Sequence, residues 1–383
     1  MRAAILLAPR QFSITDLPTP EIGPRDVLAR PTAVGICGTD FHIFEGQANY
    51  NYDPQGRPVP LEQSPQVLGH EIAAVIERVG KEVDDLRVGD RVVVDQGWNC
   101  FSQGRTPCEY CATGDLHQCE FYLEQGISGI PGGMAELLRV PAVNAVRVAA
   151  HLPVPFGAMT EPLACILHAL ELAQQTYTRY TLPTTTRPAP DNPVRTALIC
   201  GAGPAGLLFL QCLRGVLGFT GPVLVVEPNS AKRALVVRFG GEAIDPGASD
   251  LVTQVLDRTA GRGVEFLVDA AGYGPLYKDI PGMLRKQGTL VMYGHGHHSA
   301  SLGLMNALQY REARLVAATG ASGGFDARRR PRVYQRALQL LEEEKIVVSP
   351  LITHQYDGLP AGLAAFQQDR FLADYIKGVI TFS

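Results

Sequence analysis

The 383-residue sequence contains no apolar run near the ~18 residues that a membrane-crossing helix needs. It also lacks an excess of either charge: 34 Lys and Arg stand against 38 Asp and Glu, a net charge of −4. No polyanion-binding face follows from that balance, so neither nucleic acid nor membrane is an expected partner. The opening Met1-Arg2-Ala3-Ala4-Ile5-Leu6-Leu7 is apolar only briefly before Pro9, too short for the core of a signal peptide. It is read as a first strand, in a cytoplasmic protein. Eight cysteines over this length, four of them clustered, suit metal ligation in a reducing compartment better than a disulfide framework. Apolar residues at 46% and charged residues at 19% are ordinary for a soluble globular chain of two or three domains.

The stretch Gly35-Ile36-Cys37-Gly38-Thr39-Asp40-Phe41-His42 places a thiol, a hydroxyl and an imidazole close together. Gly69-His70-Glu71 and Thr160-Glu161-Pro162 follow. Cys37, His70, Glu71 and Glu161 offer one sulfur, one nitrogen and two carboxylates. That set suits a Zn2+ site with three protein ligands and one position open to water or substrate. Such an ion keeps the cysteine deprotonated and acts as a Lewis acid.

Cys100, Cys108, Cys111 and Cys119 form a second group. Four thiolates so spaced can close a tetrahedral structural zinc site with no open position. Its role is to staple a lobe that has little apolar core of its own. A site with a substitute for Cys100 and a metal-free loop are the alternatives.

Residues 1–150 read as short strands broken by Gly and Pro: Asp26–Arg30, Ile72–Val79 and Asp90–Val94 among them. Residues 43–67 form a long connection that is either functional or mobile. Helical spacing covers 161–175, with Cys165 read as a small buried apolar residue. The Thr- and Pro-rich stretch 174–195 reads as a linker-like insertion.

Then Thr196–Cys200, Gly201-Ala202-Gly203-Pro204-Ala205-Gly206 and a following apolar run read as strand, glycine turn and helix. Gly201 permits the turn, Gly203 lets a pyrophosphate approach the backbone, and Gly206 lets helix pack on strand. Pro204 and Ala205 open the helix whose N-terminus faces the phosphates. Glu227 ends the next strand 21 positions after Gly206, where a carboxylate accepts the ribose hydroxyls and repels a 2′-phosphate. NAD is therefore expected rather than NADP; Lys232 and Arg233 are the counter-argument. Alternating strands and helices continue to residue 310, the doubly wound α/β pattern. Ala270, Gly272 and Gly294, at strand ends, are expected beside the nicotinamide half. Gly294-His295-Gly296-His297-His298 is a metal site, a cofactor or substrate contact, or a plain polar loop.

Gly-Ile-Cys-Gly-Thr-Asp, then Gly-His-Glu, then Glu-Pro resembles the zinc-dependent medium-chain dehydrogenase/reductase family, nearest its sorbitol, threonine and glucose dehydrogenase branch. The resemblance runs from Met1 to Ser383. It implies a GroES-like catalytic domain over 1–168, its structural-zinc lobe near 97–122, a Rossmann domain over 169–310 and a return to the first domain over 311–383. It makes Cys37, His70 and Glu71 ligands of a catalytic zinc, with Glu161 a direct or water-bridged fourth. Cys108, Cys111 and Cys119 match the structural-zinc lobe. Cys100 is displaced: seven residues separate it from Cys108 where the family has two. Lys232 matches a lysine that contacts the adenosine ribose of NAD, and the stretch 44–66 looks like an insertion. Thr39 and His42 resemble a proton relay that serves oxidation of a secondary alcohol: a polyol, sugar, diol or threonine-like compound. The family's members are usually dimers or tetramers, so a homodimer or homotetramer is expected.

Three rivals stand beside this reading. A zinc-free quinone reductase of the same fold would lack Cys37 and the cysteine lobe. A non-enzymatic NAD-binding or sensory protein would not need Thr39, His42 and the ligand set. An NADP-dependent sugar dehydrogenase differs in cofactor alone.

Overall fold

The computed structural model describes residues 1–183, 192–295 and 303–382. Part of the 174–195 insertion and Gly296, His297 and His298 therefore lie outside the described residues. Two compact units emerge. The first comprises Met1–Cys165, Gly320–Glu344 and Val348–Ser383; the second comprises Ile166–Thr319 and Lys345–Val347.

The first unit is β-rich. One sheet runs in the order Ala145–Arg147, Arg91–Val94, Glu71–Val79, Asp26–Ile36, Lys377–Thr381, Ile352–Asp357, with Leu138–Pro141 also pairing to Asp26–Ile36. Its ladders are antiparallel except between the last two strands of that order. A three-stranded sheet joins Gln11–Asp16, Arg2–Ala8 and Gln66–Val67. Inward residues such as Val27, Ile72, Ile76, Val92, Val94 and Leu138 build one core cluster; Leu6, Val34, Phe44, Leu68, Met134 and Phe366 belong to another. The chain end thus returns to the first unit: Lys377–Thr381 lies against the strand that precedes Cys37.

The second unit carries six parallel strands. In chain order these are Ala197–Cys200, Val223–Val226, Glu242–Ile244, Val264–Asp269, Leu284–Met292 and Arg314–Ala317. Their order across the sheet is third, second, first, fourth, fifth, sixth. That is the dinucleotide-binding order, and ligands bind where it reverses, outside the carboxyl ends of the first and fourth strands. Cys200 and Asp269 pair across that point. The strand interiors are apolar runs because helices cover both faces of a parallel sheet.

Some boundaries have local physical causes. The fifth strand begins at Leu284, ahead of Gly288: Val264 pairs with Leu284 and Phe266 with Thr289, so a bulge takes up the residues between. The charged stretch 328–344 forms a helix over Arg332–Glu342. Pro331 caps its start, and Glu344 takes a left-handed φ of 54° just past its end. Among the described residues, no helix is long and apolar enough to cross a membrane.

Candidate functional site

Cys37 follows the strand Asp26–Ile36 and caps the helix Gly38–Phe44. Glu71 opens the neighbouring strand Glu71–Val79, in register with Gly35. Antiparallel pairing therefore brings Cys37, His70 and Glu71 to one end of the ladder. One donor atom from each lies within 4.8 Å of the other two. A glycine is required beside them: a Cβ on Gly35 would stand 1.9 Å from Glu71 Oε2.

Asp40 ties the two loops. Its Oδ2 accepts from Cys37 N at 2.9 Å and its Oδ1 from Gly69 N at 3.3 Å, and it is fully buried. His70 Nδ1 is buried without a hydrogen bond, 3.5 Å from Asp40 Oδ1. Burial works to lower the basicity of His70, but the charges of Asp40 and Cys37 outweigh it and raise the pKa well above the usual value. A buried imidazole so placed draws positive charge to this point. Lys377, also buried, sets its ammonium 2.5 Å from the Glu71 carboxylate. Sequence reading missed Lys377, which lies 306 positions from its partner.

Glu161 lies outside the group of mutually close donors. It sits in the first turn of the helix Thr160–Gln175. Its Oε1 accepts from Gln96 Nε2 at 2.8 Å and from Cys165 Sγ at 3.1 Å. Burial raises its carboxyl to about 7, with His70 opposing and Glu71 adding to the rise. Cys165 is buried as expected, but it also donates one turn away on the same helix. Thr39 Oγ1 stands 3.8 Å from Cys37 Sγ, and His42, one turn further along the short helix, pairs Nδ1 with Gln47 Oε1 at 3.0 Å.

The four lobe cysteines converge, their sulfurs all within 4.8 Å of one another. Cys119 Sγ lies 3.6 Å from Cys100 Sγ and 3.9 Å from Cys108 Sγ. A tetrahedron of sulfurs at ~2.3 Å from zinc has edges of ~3.8 Å. Backbone N–H groups of Cys108 and Phe121 point at the sulfurs of Cys100 and Cys119. The Cys111 N–H lowers the Cys108 thiol to about 7, whereas burial pushes Cys111 and Cys119 up. As thiolates, four sulfurs this close would need a cation. The seven-residue excursion after Cys100 is taken up by a turn, Gly104 N to Phe101 O and Arg105 N to Cys100 O, so the displaced cysteine still reaches the cluster.

In the second unit, Gly201 takes φ of +99° and donates to Val226 O. A Cβ on Gly206 would lie 1.9 Å from Gly201 O, so packing demands glycine there. A Cβ on Gly203 would meet nothing within 4 Å. Protein packing does not require that glycine; the space beside it suits a ligand. Pro204 and Ala205 begin the helix Pro204–Gln211. Glu227 is buried, its Oε2 accepting from Ala202 N at 2.8 Å and its Oε1 from Asn229 N at 2.9 Å. Lys232 is half-buried on the helix Ser230–Arg238. Ala270 N donates to Cys200 O, while Gly272 N and Gly294 N both reach Asp269. The three backbone neighbours therefore gather around the fourth strand's end.

Residues 23–150 match the alcohol dehydrogenase GroES-like domain and residues 204–343 the zinc-binding dehydrogenase family. The chain belongs to the zinc-binding alcohol dehydrogenase family. It is thus an oxidoreductase acting on CH–OH donors, and the family implies zinc and a nicotinamide cofactor. The chain is 28% identical to L-threonine 3-dehydrogenase of Pyrococcus abyssi over 92% of itself and 90% of that protein. It is 32% identical to glucose 1-dehydrogenase of Thermoproteus tenax, covering 84% and 88%. A structure from Sinorhizobium meliloti 1021, described as a zinc-binding dehydrogenase and bound to NADP, superposes with a TM-score of 0.79 at 26% identity, covering 99% and 98%.

Proposed function

We propose that this dehydrogenase oxidises a secondary alcohol with NAD, its catalytic zinc held by Cys37, His70 and Glu71 and a structural zinc by Cys100, Cys108, Cys111 and Cys119. The observation that carries the reading is the convergence of one thiol, one imidazole and one carboxylate at a buried point, beside the Thr39 hydroxyl. Three ligands of that kind leave a coordination position for substrate. When bound, zinc supplies a Lewis acid that eases loss of the alcohol proton, and the nicotinamide supplies the hydride acceptor.

The chain's own residues do the rest. Lys377 pairs with the Glu71 carboxylate and so places a buried cation beside the ligand set. Thr39 takes the alcohol proton through its hydroxyl, and His42 passes it towards solvent. Glu161 serves the centre as a carboxylate held just outside the three ligands. Gly201, Gly203 and Gly206 admit the pyrophosphate at the N-terminus of Pro204–Gln211, where N–H groups and the helix dipole favour phosphate. Ala270, Gly272 and Gly294 receive the nicotinamide half.

NAD is preferred because a carboxylate at Glu227, at the end of the second strand, suits ribose hydroxyls and disfavours a 2′-phosphate. Its nearby cation Arg233 is already committed to Asp245 at 2.8 Å and to the carbonyls of Glu227 and Pro228. Lys232 is then left for the adenosine ribose. The substrate class is a polyol, sugar, diol or threonine-like alcohol, supported by the threonine and glucose dehydrogenase relatives. A homodimer or homotetramer in the cytoplasm completes the reading, consistent with eight free cysteines.

Steady-state turnover of L-threonine, D-glucose, sorbitol and 2,3-butanediol tests it. NAD should exceed NADP in kcat/KM by at least tenfold, about 1.4 kcal/mol of discrimination. Equal or reversed preference overturns the role of Glu227. No turnover of any panel member by protein holding both zinc ions overturns the substrate class.

A further inference from the structure

The helix Arg332–Glu342 carries Tyr334, wholly buried, into the first unit. Its O–H donates to Oε1 of Gln96, which is itself buried. The other end of that amide faces two carboxylates: Nε2 lies 2.8 Å from Glu161 Oε1 and 3.4 Å from Glu124 Oε1. The orientation of the amide follows from its neighbours. Gln96 turns its N–H bonds towards the Glu161 and Glu124 oxygens, which accept whenever the carboxyls are ionised. Its oxygen is then left to accept, and the buried Tyr334 phenol, whose acidity burial suppresses, is the donor that fills it. With the amide locked, Oε1 of Glu161 takes hydrogen bonds from Gln96 and from Cys165. Among the described residues, nothing hydrogen-bonds Oε2.

We infer that Tyr334 and Gln96 are a positioning pair that commits one oxygen of Glu161 to the protein, so that this carboxylate serves the metal centre through its other oxygen alone. This rests on the reading that Cys37, His70 and Glu71 hold the catalytic zinc. Two consequences follow. While the amide is locked, only Oε2 of Glu161 would be left to serve a bound ion. Its reach is set from Tyr334, a residue 238 positions from Gln96 in sequence.

The test is a double-mutant cycle on the zinc-loaded protein. Tyr334→Phe removes the O–H and keeps the ring; Gln96→Met keeps the length and removes both donors. Each is made alone and in a Glu161→Ala background. Two quantities are read: kcat and KM on the panel alcohol turned over fastest, and the rate at which EDTA withdraws the zinc ion that Cys37→Ala protein lacks. Residues that orient ligands from behind typically change affinity or activity by about 10–100-fold. The inference predicts a change of that size in zinc release and in kcat, with KM for NAD unmoved, and its disappearance in the Glu161→Ala background. The same change in both backgrounds, or none in either, overturns it; a melting-temperature loss shared by both backgrounds marks the residues as structural. If Tyr334→Phe fails to fold, Gln96→Met decides alone. If Cys37→Ala removes no zinc, the metal reading fails and the inference falls with it, an outcome distinct from background-independent effects in protein that holds both ions.

Discussion

At the scale of single residues, the centre is an arrangement of buried charge. Glu71 and Lys377 form an ion pair with neither partner exposed. Removing one partner strands the other charge in the interior, which is far costlier than replacing both. Lys377→Met should therefore destabilise the protein by about 3–5 kcal/mol in chemical denaturation. Adding Glu71→Gln should recover part of that loss; a loss under about 1 kcal/mol, the scale of exposed pairs, would show the pair to be solvated. His70 gives a pH dependence whose sign is fixed. Zinc requires the neutral imidazole, and the charges of Asp40 and Cys37 raise its pKa against the opposing effect of burial, so protons compete more strongly than at an exposed histidine. Zinc affinity of the stripped protein should fall as pH drops across the neutral range, read by competition with a chromophoric chelator. A flat profile would place the proton elsewhere.

At the scale of elements, two of the three glycines of the cofactor turn separate packing from binding. Gly206→Ala pushes a methyl against Gly201 O, an overpacking that costs about 1–3 kcal/mol and should lower stability before any cofactor is added. Gly203→Ala meets open space, so the protein should fold with unchanged melting temperature yet bind NADH more weakly in a fluorescence titration. Equal loss of stability in both variants would contradict the distinction. The legibility of the site follows the same division. Cys37, His70, Glu71 and the glycine turn were readable because short-range spacing places them at strand ends and one helix start. Asp40 was visible in its motif, but its bridging of Cys37 and Gly69 needed the strand register. Lys377, Gln96 and Tyr334 were not readable: each reaches its partner across a long stretch of chain, and an apolar-looking strand or helix gives no sign of which inward residue meets a carboxylate. Strand positions were recovered from apolar runs and turns, while the bulge before Thr289 was hidden because it depends on a partner strand.

At the scale of the whole molecule, the lobe is held by few apolar contacts besides its cysteines: Leu116, with Phe101, Tyr122 and Phe325 packed around it. It is also latched by a buried histidine. His117 donates Nε2–H to Asp95 at 2.8 Å and accepts at Nδ1 from Ala321 N at 2.8 Å. Because Nδ1 accepts, the ring is the neutral tautomer, although the Asp95 charge works against burial to raise its pKa. Cys100→Ser should lower zinc content by one ion and reduce the melting temperature, with the cofactor domain still binding NADH. Unchanged zinc content would mean that Cys100 is not a ligand.

The most direct test of the central claim is zinc content per chain by atomic emission in the wild-type protein and in Cys37→Ala, beside NAD-dependent turnover and NADH binding. The account predicts two ions falling to one, turnover lost and NADH binding retained. Equal zinc in both proteins, with turnover surviving the substitution, would contradict it.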